Sequence, residues 1–334
     1  MFNDLILDKM KKVLISVIIM IILVFIGLEI LTESNSILNS VSFSFKIWEN
    51  NIFPSLFPFF ILSELLVNYG FVEFLSELFK PIMNHFFKIN SNAAFVFVMS
   101  MISGFPSNAK YTRKLYEQGL LNENEASKVL TFTHFSNPLF ILGTVVVFLN
   151  NKEAGLLVLI VHYFTNLIIG FIFRNYYQSK KERSKISLKK AILNMHQKRI
   201  GNNMSFGKII TTAINNSINT LLLILGTVTI FLIITTIIDN SLNINSYYQS
   251  IINGFIEMTQ GLKYVSLLEI PLKLKTIIIT MILSFGGLSV HMQVISILSD
   301  TKIKYLPFLT ARLLHSAIAG IIIFFTFEYW INII

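Results

Sequence analysis

A stretch apolar enough for a membrane interior, Ala93–Ser103, is broken by Gly104-Phe105-Pro106-Ser107-Asn108-Ala109-Lys110. Later in the chain Ser284-Phe285-Gly286-Gly287-Leu288-Ser289-Val290-His291 interrupts residues 275–283 in the same way. In hydrocarbon an unpaired amide or carbonyl costs several kcal/mol, so irregular backbone at that depth must line a cavity or lie inside protein. Interrupted segments in matching places of two chain halves mark the binding site of a transporter.

Composition supports a membrane setting for these breaks. Mean hydropathy is +0.67, with 54% hydrophobic and only 13% charged residues, which excludes an ordinary soluble domain. Runs long enough to span a bilayer occupy residues 13–31, 52–67, 126–149, 154–173, 209–238 and 306–330. Lys9, Lys11 and Lys12 before the first run resemble a signal peptide. The run closes on Leu28-Glu29-Ile30-Leu31-Thr32-Glu33 and not on a small-x-small cleavage site, so a retained helix is expected. The chain has no cysteine, hence no disulfide or thiolate chemistry. It offers no membrane aspartate pair, no Gly-x-Ser-Gly nucleophile and no His-Glu-x-x-His helix, so an enzyme is not expected, and no metal or cofactor is implied.

The net charge of +9 is concentrated between Arg174 and Lys208, where Glu182 is the only acid. A short basic loop stays cytoplasmic and suits anionic lipid headgroups. Nucleic-acid binding would call for interleaved aromatics or a recognisable module, and neither is present.

These features divide the chain into an N-terminal transmembrane helix (1–40), a first repeat (41–175) with a hairpin near 93–120, a basic cytoplasmic loop (176–208) and a second, inverted repeat (209–334) with a hairpin near 272–304. The expected fold is an all-α polytopic membrane protein with inverted repeats. Each repeat is to contain spanning helices, an interfacial helix and a re-entrant helical hairpin. The interfacial helices are read at Phe71, Leu75, Leu78, Phe79, Ile82 and Phe86, with Glu73, Glu77, Lys80 and Asn84 elsewhere, and at 251–262. With 174–208 and the N-terminus inside, 306–330 is expected to run inward. The repeat register pairs Ser103 with Ser284, Lys110 with His291 and His134 with His315.

The candidate site follows from the breaks. Gly104 allows the turn, Pro106 cannot continue the preceding helix, and Ser107 and Asn108 cap the returning one beside Lys110. Exposed helix N-termini favour a carboxylate or phosphate. Gly286, Gly287, Ser289, His291 and Gln293 form the second version. Asn137-Pro138 interrupts 126–149 and leaves a polar cluster of Thr131, Thr133, His134, Ser136 and Asn137. Glu257, with Thr259, is the candidate for ion coupling, Na+ and H+ both being open. Arg312 and His315, next to Ser316, lie one turn apart in the last run and suit a bound anion.

Asn51 to Phe60 (Asn-Ile-Phe-Pro-Ser-Leu-Phe-Pro-Phe-Phe), Ser103-Gly-Phe-Pro106 with Ala109-Lys110, Gly119 with Glu125-Ala126, and Phe135-Ser-Asn-Pro-Leu-Phe140 resemble the YlbJ (SpoVV) sporulation integral membrane proteins. So do Gly254-Phe-Ile-Glu257 with Gly261 and the Arg312, His315-Ser316 helix. The resemblance runs from about Phe43 to Ile334. It implies a nucleoside-recognition gate fold similar to concentrative nucleoside transporters. The function it implies is alternating-access movement of a small carboxylate, dipicolinate, across the outer forespore membrane. It also implies membrane lipids as neighbours and a homo-oligomer, as relatives of this fold assemble. A non-transporting scaffold or receptor of spore morphogenesis is the alternative. A nucleoside-type transporter is another, although the Gln-Thr-Glu and Glu-Gly-x-Thr motifs of those relatives are absent.

Overall fold

The computed structural model describes residues 2–179, 186–242 and 244–333. All regular elements among them are helical, and six helices are long and apolar enough to cross a membrane. Lys180, Lys181, Glu182, Arg183, Ser184 and Lys185 of the basic segment lie outside the described residues.

Helix α1 (Phe2–Thr32) is followed by α2 (Ser34–Ile47), a wide π turn (Trp48–Ile52) and α3 (Phe53–Asn68). The last three form one candidate span of 35 residues, far longer than the run at 52–67. The serine-rich start of this span is tolerated because its hydroxyls are satisfied inside protein. Ser40 Oγ lies 2.6 Å from Thr236 Oγ1, and Ser44 Oγ 2.7 Å from Thr229 Oγ1. Trp48 Nε1 donates to Leu221 O at 2.8 Å.

Next come α4 (Phe71–Pro81), α5 (Ala93–Ser103), α6 (Ser107–Glu117), α7 (Glu123–Phe132), α8 (Pro138–Phe140), α9 (Val146–Leu149) and α10 (Lys152–Ile172). The chain continues with α11 (Leu188–Ile200), α12 (Phe206–Ser241), α13 (Ser246–Ile256), α14 (Met258–Leu267), α15 (Leu272–Phe285), α16 (Gly287–Leu298) and α17 (Leu306–Ile333). Helix α4 is amphipathic, with Val72 and Leu75 in the apolar core, but its polar side is covered too. Glu77 and Lys80 are buried and paired at 2.8 Å, under α11 from the basic segment. Ile82 and Phe86, expected to be apolar anchors, are exposed.

In the first half α5 and α6 pack side by side as a hairpin, followed by a span broken between α7 and α8, then by α10. In the second half the side-by-side pair is α13 and α14, the broken span is α15–α16, and α17 closes the series. This corrects the sequence reading in three respects. Residues 272–304 are not a folded-back hairpin: α15 and α16 form one interrupted span of 27 residues. Residues 251–262 are not an interfacial helix but the tip of the second hairpin. The pairing of Ser103 with Ser284 gives way to one that sets the α5–α6 turn against Glu257 and the Thr133–Asn137 break against Gly286-Gly287.

The reason is local packing. A Cβ on Gly261 would sit 2.1 Å from Gly254 Cα, so these glycines bring the two hairpin backbones into direct contact. The apolar stretch at 275–283 instead packs along α17.

With a full span at α15–α16, α17 runs opposite to the expected direction. Trp330 Nε1 donates to Glu153 O at 2.9 Å, and Lys273 Nζ lies 3.4 Å from Glu328. At the other end Lys304 N donates to Ser127 Oγ at 2.8 Å, and Arg113 Nη1 to Ile297 O at 2.7 Å. The end of α17 therefore lies with the start of α10, and its start with the start of α7.

Two tests follow. In this cysteine-free chain, Asn151→Cys and Asn332→Cys should label with an impermeant thiol reagent from one face, and Ser187→Cys and Asp300→Cys from the other. Labelling of Asn332→Cys from the Ser187 face would restore the inward direction of the last helix. Gly261→Val should abolish folded yield on detergent size exclusion, whereas Gly226→Val, where no atom lies within 4 Å of the added Cβ, should be tolerated.

Candidate functional site

Each hairpin turn seats on the broken span of its own half. Gly104, at φ +78, ends α5, and a Cβ there would lie 2.5 Å from Asn137 N and 2.8 Å from Asn137 Cα. Asn137 Nδ2 donates to Ser103 O at 3.2 Å from the other side of the same contact. In the second half Gly287, at φ +71, makes the equivalent approach, its Cβ position 2.9 Å from Met258 N. Only glycine accepts such backbone angles without strain.

A cavity of about 70 Å³ lies where the two turns and two breaks meet. Pro106, Ser136, Asn137, Glu257, Thr259 and Gln293, all read from the sequence, line it. Asn51, Ser55, Phe105, Phe140 and Met258 also line it and were not assigned there, although Asn51 and Ser55 belong to the Asn-Ile-Phe-Pro-Ser block.

Four helices begin at this cavity. Asn137 Oδ1 accepts from Leu139 N at 2.7 Å and so caps the α8 segment, and Glu257 Oε2 accepts from Gln260 N at 2.9 Å and caps α14. Thr259 Oγ1 also donates to Glu257, and Ser289 Oγ reaches it at 3.4 Å. The starts of α6 and α16 carry no side-chain cap. At the start of α6 Ser107 N and Ala109 N are taken by Gly104 O and Pro106 O, so what the two uncapped ends share toward an anion is a positive dipole end. The hydroxyl of Ser136 is buried and has no partner in the protein.

Behind the cavity lies a buried polar knot. Phe132 ends α7, which leaves carbonyls free on the way to Asn137. Arg312, fully buried on α17, covers them: Nη2 donates to Thr131 O at 2.5 Å and to Asn166 Oδ1 at 3.3 Å, and Nη1 reaches His134 O at 3.4 Å. Nη1 also lies 2.7 Å from His315 Nδ1. Ser136 N donates to His162 Nε2 at 2.9 Å, and the His162 and His315 rings stack at 4.7 Å where α10 and α17 cross. His134 stacks on Phe105 at 4.7 Å, with Nδ1 3.4 Å from Asn108 Oδ1. His291 Nε2 lies 3.0 Å from Phe285 O, the last carbonyl before Gly286.

Arg312 thus terminates a broken helix and is not in the cavity lining. Ser107 is held within the first turn by Ser103 Oγ at 2.6 Å. Ser316 donates to Met281 O at 2.9 Å, away from the knot. Lys110 faces a different cavity, 3.9 Å from Glu64 Oε1 and 4.4 Å above the Phe60 ring. His162 and Asn166 were missed. Their signal was available as polar residues one turn apart within an apolar span.

Residues 51–152, which hold the first hairpin, the first break and the Asn51 block, match the family model "Gate", described as nucleoside recognition. The chain is 35% identical over 303 residues to the sporulation integral membrane protein YlbJ of Bacillus subtilis (strain 168), covering 83% of this chain and 74% of that protein. The chain belongs to the YlbJ family of sporulation integral membrane proteins. No solved structure matches it. This YlbJ-family chain is an integral membrane protein with a gate domain, and the gate match covers the lining contributed by its first half.

The knot makes a stability prediction. Replacing Arg312 by Met takes the guanidinium donor from the buried Thr131 carbonyl, at about 1–3 kcal/mol for an unsatisfied group, while the His134 carbonyl keeps Asn166 Nδ2 at 3.0 Å. Arg312→Met should lower the melting temperature in detergent markedly and Arg312→Lys less, because Lys keeps the charge but not the fork. A wild-type melting temperature for Arg312→Met would mean that the guanidinium does not hold the break.

Proposed function

We propose that this protein is a membrane carrier, and not an enzyme or a static scaffold. It would move a small carboxylate through the cavity between its hairpin turns by alternating access. The observation that carries this reading is the meeting of two hairpin turns and two interrupted spans on one polar cavity. Irregular backbone at that depth must line a cavity or lie inside protein, and paired interruptions that meet on one cavity are the mark of a transporter's site. Two uncapped helix starts favour negative charge, while Asn51, Ser55, Ser136, Asn137, Thr259 and Gln293 supply neutral polar contacts.

Glu257 is the acid of this lining. A carboxylate solute is repelled by it when ionised and accepted when it is protonated, which makes Glu257 the natural seat of a coupling proton. At about 70 Å³ the cavity is well below the size of a small-molecule site. Loading a ring dicarboxylate would therefore widen the cavity, as by one turn lifting from its break.

The family's place in sporulation and the resemblance in its motifs favour dipicolinate as the substrate and the outer forespore membrane as the location. The basic segment 174–208 would lie on the cytoplasmic side.

Reconstituted in liposomes as the sole protein, the chain should take up radiolabelled dipicolinate. Ser136→Ala should raise the half-saturating concentration about 10-fold, the equivalent of one lost hydrogen bond, with an unchanged melting temperature, because Ser136 Oγ has no protein partner to lose. Absence of uptake with folded wild-type protein favours the scaffold. Uptake of uridine but not dipicolinate favours the nucleoside reading.

A further inference from the structure

Two further cavities adjoin the central one through shared lining residues, in series. The central cavity shares Asn51, Phe140 and Thr259 with a second cavity of about 500 Å³, within the range of small-molecule sites. The second shares Phe43 and Lys263 with a third, of about 240 Å³, which contains Asp239 and Tyr264. Leu56, Phe60, Leu221, Ile224, Val228 and Leu232 form one apolar cluster along this side of the bundle. The cavity around Lys110 and Glu64 has no lining residue in common with the central one.

We propose that Lys263 is the recognition cation of this path, an outer site that receives a small dianion before it reaches the central cavity. The proposal rests on the carrier reading above. Lys263 sits one turn beyond Thr259 on α14, so a solute held by its ammonium is about 6 Å along the helix from the central lining. Its Nζ lies 4.4 Å above the Phe43 ring. An aromatic face holds an ammonium in place without cancelling its charge.

The acid of the third cavity makes its close contacts with another partner. Asp239 is engaged by Asn253 Nδ2, at 3.1 Å to Oδ1 and 3.0 Å to Oδ2. The cations of the cavity around Lys110 and of the buried knot are already committed. Lys110 and Lys114 both face Glu64, at 3.9 and 2.5 Å, and Arg312 holds the backbone carbonyls of Thr131 and His134. Asn39, Asn240 and Tyr264 add neutral groups to the same cavity, which suits a second carboxylate or a ring nitrogen.

The test measures equilibrium binding of radiolabelled dipicolinate to purified full-length protein, together with liposome uptake. Lys263→Met keeps the stem over Phe43 and removes the charge. It should weaken dipicolinate binding at least about 10-fold while weakening that of the monoanion picolinate far less, and Lys263→Arg should stay near wild type. In the cysteine-free chain Lys263→Cys provides a rescue. Aminoethylation restores an ammonium and should restore affinity, whereas a sulfonatoethyl adduct should not. Wild-type affinity in Lys263→Met, or equal recovery with both adducts, overturns the role of Lys263 and leaves the carrier reading standing. Wild-type protein that neither binds nor moves dipicolinate removes both.

Discussion

The structure depends on backbone meeting backbone at two places inside the bundle. Where Gly104 touches Asn137, and where Gly287 touches Met258, there is no room for a side chain. Each contact joins the turn of a hairpin to the interruption of a span, and so disposes of two irregular segments at once. The turn's polar groups are directed at the break, and the space left between the two contacts is the cavity. In a bilayer this is how a chain keeps unwound backbone at depth, because neither segment faces lipid.

The rest of the interior secures these junctions. A helix that stops in the membrane leaves carbonyls at its end, and the two stops are treated differently. The first is closed by a buried guanidinium with Asn166 and two stacked imidazoles around it. The second has His291 against the Phe285 carbonyl. The α10–α17 crossing supplies Arg312, His162 and His315, so the central helix pair, which looks like scaffold, sets the geometry of the breaks.

Much of this was legible in the sequence. The membrane class, the first hairpin around Gly104-Phe105-Pro106 and the interruption before Pro138 follow from hydropathy and from what glycine and proline do to a helix. The polar lining at Ser136, Asn137, Glu257, Thr259 and Gln293 was visible as polar residues in apolar surroundings. The second hairpin was not. Its helices carry Ser250, Asn253, Thr259 and Gln260, which read as a surface face, but these side chains are buried against neighbouring elements. The glycines at Gly286-Gly287 look like a turn, yet they only interrupt a span that carries on. A periodicity shows where the polar residues of a helix fall. It does not show whether water or another helix meets them, and the polar face of α4 under α11 was misjudged for the same reason.

The glycine needed for a junction stands in the hairpin in the first half and in the broken span in the second. What the two halves share is a distance of closest approach, and either partner can supply the missing side chain. Evolution can therefore move the glycine from one strand of the contact to the other without altering the contact. Two halves built this way drift apart in sequence while their geometry stays the same. A comparison of letters will then pair the wrong segments, and the symmetry of such a protein has to be sought among pairs of positions.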